Sequence, residues 1–158
     1  MRTSPVVLAL VGLLAGTCRA QVYVPNHDRT PGAINAAVTQ ENIQETVCVE
    51  GWTQTIQPPA KYVDRLKAKQ IKALHLKGKP RDYIEDHLVP LCLGGDPRDP
   101  HNLWPQRTTG DWNAKVKDQL EAAVCRAVCS ADRTLKEGQG IFLEPDWTKE
   151  FLKWYQVE

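Results

Sequence analysis

Asp86 and His87 stand side by side in an apolar stretch, residues 83–93, that runs into Gly94-Gly95. A carboxylate beside an imidazole suits hydrolysis of a phosphodiester. The carboxylate can hold a divalent cation that neutralises charge at phosphorus and stabilises the departing oxygen. An imidazole titrating near neutrality can take a proton from the attacking water. Asn102-Leu103-Trp104-Pro105-Gln106 follows, and then an amphipathic segment carries Asn113 and Asp118. Asp-His pairs alone are common at surfaces. The pair gains meaning from the Gly-Gly turn, the returning Asn and the helix after it.

Those residues need elements to position them. Residues 83–93 read as a first strand, Gly94-Gly95 as its turn signal, 96–101 as a Pro-broken loop, and Leu103-Trp104 as a returning strand. Asp111 or Thr109 can cap a helix reaching about Ser130, with Trp112, Val116, Leu120, Ala123, Val124 and Ala127 as its apolar stripe. At 100° per residue, the stripe of Trp112, Val116, Leu120 and Ala123 centres about 65° from Asn113 and about 155° from Asp118. Asn113 therefore borders the face packed on the hairpin, and Asp118 points away. Upstream, residues 61–77 form a basic helix ended by Gly78. Thr39 can cap a short helix, and 46–52 read as extended chain that places Cys48. Downstream, Thr134 and Glu137 form a capping box for another short helix, and a last helix starts at Asp146. His75 and His101 read as surface and loop residues, and Glu85 as an exposed member of the motif.

The string Glu85-Asp86-His87-Leu88-Val89-Pro90-Leu91, then Gly94-Gly95, then Asn102-Leu103-Trp104-Pro105-Gln106 and a helix with Asn113 resembles the HNH endonucleases of the ββα-metal superfamily. The motif core covers residues 82–121. Thr30-Pro31-Gly32, Val47-Cys48, Gly51-Trp52-Thr53 and Asp146-Trp147 are similar to flanking parts of small bacterial HNH-like proteins. The resemblance implies an α+β fold: a small ββα-metal core with flanking helices. It implies His87 as general base and Asn102 as the residue tying the loop to the His-bearing strand. Asp86 and Asn113 become ligands of a divalent cation, Mg²⁺ first, with Mn²⁺ or Zn²⁺ as alternatives. Adjacent strand residues point to opposite faces; in the family a distorted strand end lets Asp86 and His87 both reach the phosphate. Arg107, Lys115 and Lys117 lie near the expected ion as candidate phosphate contacts.

Residues 1–20 read as an export signal: Arg2, an apolar run over 6–14, and Cys18-Arg19-Ala20 as a cleavage site. That run is too short to span a bilayer, so no stable membrane insertion follows signal removal. The remaining 138 residues, 21–158, make one domain. Without Arg2 and Arg19, 18 basic residues face 19 acidic ones, a net charge of −1. Overall charge therefore gives no pointer to a polyanion. Its distribution does: residues 61–81 hold eight Lys or Arg against Asp64, a local +7, leaving −8 elsewhere. Lys67, Lys69 and Lys72 are the candidate backbone-phosphate contacts there.

Four cysteines remain after the signal, Cys48, Cys92, Cys125 and Cys129, which in an exported chain favours two disulfides. Cys125 and Cys129 share a helix four residues apart, an awkward geometry for pairing with each other. Two connectivities remain, of which Cys48–Cys125 with Cys92–Cys129 is preferred. A structural zinc site, which some HNH proteins carry, is the runner-up. The sequence thus predicts a periplasmic or secreted, metal-dependent nuclease acting on DNA, with RNA as the second candidate, and with little sequence preference. An inert HNH scaffold that only binds nucleic acid and a small secreted structural protein are the rival readings.

Overall fold

The computed structural model describes residues 24–156; residues 1–20, read above as an export signal, lie outside them. The fold is α+β, helix-rich, with one two-stranded sheet and two disulfides. In order come α1 (Trp52–Ile56), α2 (Ala60–Ala73), β1 (Tyr83–His87), β2 (Leu103–Arg107), α3 (Ala114–Cys129), α4 (Leu135–Leu143) and α5 (Trp147–Tyr155). A 3-10 turn over Gln40–Glu45 precedes them, where Thr39 N–H donates to Asn42 Oδ1 at 2.9 Å. Residues 46–51 form turns and not the expected extended piece.

β1 and β2 pair antiparallel, with Tyr83 opposite Arg107 and His87 opposite Leu103. The first strand stops at His87, well short of residue 93. Pro90 has no N–H to give to a ladder, and Leu91–Leu93 close a 3-10 turn behind it. α2 lies against both strands, held by Gln70 Nε2 donating to Leu103 O at 2.8 Å. It ends at Ala73, four residues before the sequence pattern suggests, because His75 turns left-handed at φ 50°. Neither Thr109 nor Asp111 caps α3; Asn113 does, its Oδ1 accepting from Lys115 N–H at 2.9 Å.

The core joins the N-terminal segment, the turn after β1 and the last three helices. Val38, Ile43, Val89, Leu93, Leu120, Val124, Val128, Phe142 and Trp147 are all buried in one cluster. Trp112 packs edge-on against Trp147 and Phe151 at 5.9 and 5.7 Å between ring centres. Glycines in residues 134–143 do not shorten α4. A Cβ on Gly138 would stand 2.7 Å from Val128 Cγ2, so its missing side chain lets α4 approach α3.

The cysteines pair as Cys48–Cys129 and Cys92–Cys125, which corrects the preferred connectivity and leaves no cysteine among the described residues to hold zinc. The reason is position along α3. Cys125 is one turn nearer the helix start and lies over the 3-10 turn that carries Cys92. Cys129, at the helix end, faces the N-terminal segment, where Gln44 Nε2 donates to Cys129 O at 3.1 Å.

Two glycine substitutions separate space from propensity. A Cβ on Gly95 would lie 1.9 Å from Val89 O and 2.8 Å from Asn102 Nδ2. Gly95→Ala should lower unfolding stability by at least about 3 kcal/mol. Gly140, inside α4 with open space around it, should gain about 0.5–1 kcal/mol on change to Ala. Urea midpoints measure both; equal effects at the two positions would refute the packing argument.

Candidate functional site

The C-terminal end of β1 delivers Asp86 and His87 to an open cavity of about 220 Å³, where Glu121 of α3 and Gln57 also form the wall. His87 is half-buried, and its Nε2 lies 3.2 Å from Pro97 O. A carbonyl oxygen only accepts, so that bond places the hydrogen on Nε2 and leaves the lone pair of the neutral ring at Nδ1. Burial lowers the pKa of His87 below its usual value, and it outweighs the Pro97 bond and the Asp86 charge, which act the other way. The ring is therefore neutral, and basic, at pH 7.

Asn102 is fully buried between the loop and the chain leaving β1. Its Oδ1 accepts from Val89 N–H at 2.8 Å, and its Nδ2 donates to Val89 O and Asp96 O, each at 3.0 Å. Leu88 N–H adds a bond to Asn102 O at 2.7 Å. These bonds join residues 88–89 to the 96–102 loop, whose Pro97 in turn orients His87.

Behind the cavity wall sits Lys117. Its side chain has no solvent exposure, and Nζ meets Asp86 Oδ2 at 2.8 Å, His87 O at 2.7 Å and the Glu121 carboxylate. The Phe142 ring centre is 5.2 Å away. Burial alone would lower the pKa of this ammonium; Asp86 and Glu121 outweigh it, and the net shift is upward. Burial also raises the Glu121 carboxyl, against the pull of Lys117. Lys117 is thus an internal ion-pair partner and not a phosphate contact, which corrects the sequence expectation. Helical geometry held the signal: around the axis Lys117 falls about 20° from Val124 on one side and about 20° from Val128 on the other, between two buried valines. A lysine there needs carboxylates. Glu121, one turn on, was the overlooked one.

The expected cation does not fit this arrangement. Asp86 is neutralised by an ammonium, and both ends of the Asn113 amide serve the helix cap, Nδ2 donating to Gly110 O at 2.6 Å. Asp118 is on the exposed side of α3.

The other basic candidates scatter. Arg107 is at the opposite end of the hairpin from His87, about 13 Å away by strand rise. There Nη2 donates to Lys77 O at 3.0 Å, and the guanidinium sits over the Tyr83 ring at 5.1 Å. Lys67 turns inward at 18 % side-chain exposure, 3.5 Å from Asp64. Lys69 borders a cavity of about 390 Å³ with Arg29, Gln70 and His101. Lys72 and Lys115 are exposed. His101 Nδ1 is 2.8 Å from Asp99 Oδ1, a loop pair.

Glu85, expected at the surface, is largely buried, and neither carboxylate oxygen has a hydrogen-bond partner. Burial pushes its pKa up to about 8; Lys67 opposes that and Asp86 adds to it. The folded state then holds a proton that the unfolded chain releases above about 4.5, so this group stabilises least at high pH, its contribution falling between about 4.5 and 8. Glu85→Gln should gain on the parent by about 1–3 kcal/mol between pH 5 and pH 9, after allowance for residual solvent. Urea unfolding at both values tests it; an unchanged difference would show Glu85 to be ionised throughout.

No helix among the described residues is long and apolar enough to cross a membrane. Comparison with protein-family models, with curated proteins and with solved structures gives no match to this chain.

Proposed function

We propose that the chain is an exported phosphodiesterase of the HNH type that cleaves DNA, with RNA as the second candidate substrate, and with little sequence preference. One observation carries the reading. His87, neutral and oriented by Pro97 O, opens with Asp86 and Glu121 on one cavity. Two disulfides among the described residues suit an oxidising compartment, periplasmic or extracellular.

In this reading a water held in the cavity loses a proton to Nδ1 of His87 as its oxygen bonds to phosphorus. The bond from phosphorus to the departing sugar oxygen breaks, and that oxygen takes a proton from solvent. The imidazolium then returns its proton to water. Asn102 keeps the loop, and through Pro97 the ring, in place. Lys61, Arg65, Lys69 and Lys72 form an exposed stripe along α2, on the side turned from the face that packs on the hairpin. They serve as a steering field for a polyanion, and the scissile phosphate is gripped elsewhere. The rival reading, an inert scaffold that binds nucleic acid, draws on the Lys117 ion pair that occupies Asp86. Cleavage itself separates the two.

His87→Ala should lower plasmid DNA cleavage by at least about 10²-fold, the range for loss of a general base, with the thermal unfolding midpoint nearly unchanged. Nicking at the parental rate would remove His87 from the chemistry. The lowered pKa of His87 also predicts a pH profile. Activity should rise as pH climbs through a value below 6.5, because the ring must be neutral to accept a proton, and stay level through pH 7. An acid limb centred above 7 would contradict the role.

A further inference from the structure

We propose that the ammonium of Lys117 is the resident cation of this site. It fills an oxygen cage made by Asp86, Glu121 and the His87 carbonyl, so the native chain binds no divalent metal ion there and hydrolyses its substrate without one. As a statement about hydrolysis this rests on the phosphodiesterase reading. As a statement about ion binding it stands apart.

The cage is complete for an ammonium. Three oxygens surround the Lys117 ammonium: it donates to His87 O at 2.7 Å and to a Glu121 oxygen, and it forms an ion pair with Asp86 Oδ2 at 2.8 Å. The oxygens are hard donors on three separate features: the end of β1, its backbone and the middle of α3. Such a set, two carboxylates and a carbonyl, is the kind that holds Mg²⁺ or Mn²⁺. Those ions keep about six oxygens and several waters, whereas this centre has three, a side chain with no exposure and the Phe142 ring alongside. A second cation at Asp86 would lie beside a fixed positive charge. Formal charge points the same way. With Lys117 the cage is −1; without it, −2, which a divalent ion balances. Lys117→Ala removes the charge and leaves room for an ion with its waters. Lys117→Met removes the charge and keeps most of the volume.

Calorimetric titration with MnCl₂ of the disulfide-bonded parent, Lys117→Ala, Asp86→Asn and the Lys117→Ala/Asp86→Asn pair tests the assignment. The parent should take up no stoichiometric Mn²⁺ below about 1 mM, the weak end of protein carboxylate sites. Lys117→Ala should bind one ion at least about tenfold tighter than the parent, and lose it in the double variant. One equivalent bound by the parent and lost in Asp86→Asn would overturn the proposal. So would a folded Lys117→Ala that binds no better than the parent. Lys117→Met, charge-free with the volume still filled, is the folding control and should bind Mn²⁺ no better than the parent; should Lys117→Ala fail to fold, the comparison of parent with Asp86→Asn decides. Plasmid cleavage by the parent should persist in excess EDTA; cleavage that needs Mg²⁺ or Mn²⁺ overturns the metal-free claim. Absence of cleavage in every buffer would instead sink the phosphodiesterase reading and leave the titration result standing.

Discussion

Lys117 fixes the geometry of this molecule at its most demanding point. An ammonium removed from water has to find compensating charge, and here it finds Asp86 on β1 and Glu121 on its own helix, with Phe142 of α4 alongside. Loss of one member of such a buried group typically costs about 3–5 kcal/mol, because the survivors are left charged and dry. An apolar contact could slip by an ångström at little cost. Two hydrogen bonds and an ion pair on one nitrogen cannot, so β1 and α3 meet in one register. His87 inherits that precision, since its own carbonyl is one of the three oxygens.

A second rigid unit is made of neutral groups. Asn102 uses its amide three times and its carbonyl once to join the loop to the chain after β1. Gly95 packs against the same amide and the same Val89 carbonyl, with no room for a β-carbon. The imidazole is therefore held from two sides: through Pro97 by the loop and through its backbone by the ammonium.

Much of the frame was legible in the sequence. The hairpin strands, the helix over 114–129 and the inward side of Trp147 follow from turn residues and apolar spacing. The resemblance to the HNH family, and not spacing, singled out Asn102. What escaped was decided by contacts between distant segments. Whether Glu85 is exposed depends on α2 lying over the hairpin, which the alternation of one strand does not report. Arg107 seemed near the site only because it follows Asn102 closely in sequence; an antiparallel ladder carries it to the far end. Choosing between two disulfide patterns required knowing which turn of α3 covers which loop. Lys117 was the avoidable miss, because its place between Val124 and Val128 is plain helical arithmetic, and a charge there calls for a partner.

The Cys92–Cys125 bridge has a bearing on timing. It closes the chain that leaves His87 onto α3, one turn beyond Glu121. Both walls of the cavity are thus stitched by a bond that a reducing interior would keep open. A chain synthesised there would carry its imidazole and carboxylates on segments not yet fastened together. Fastening would come only with oxidation, so the cavity shared by His87, Asp86 and Glu121 would take its final shape only in an oxidising compartment.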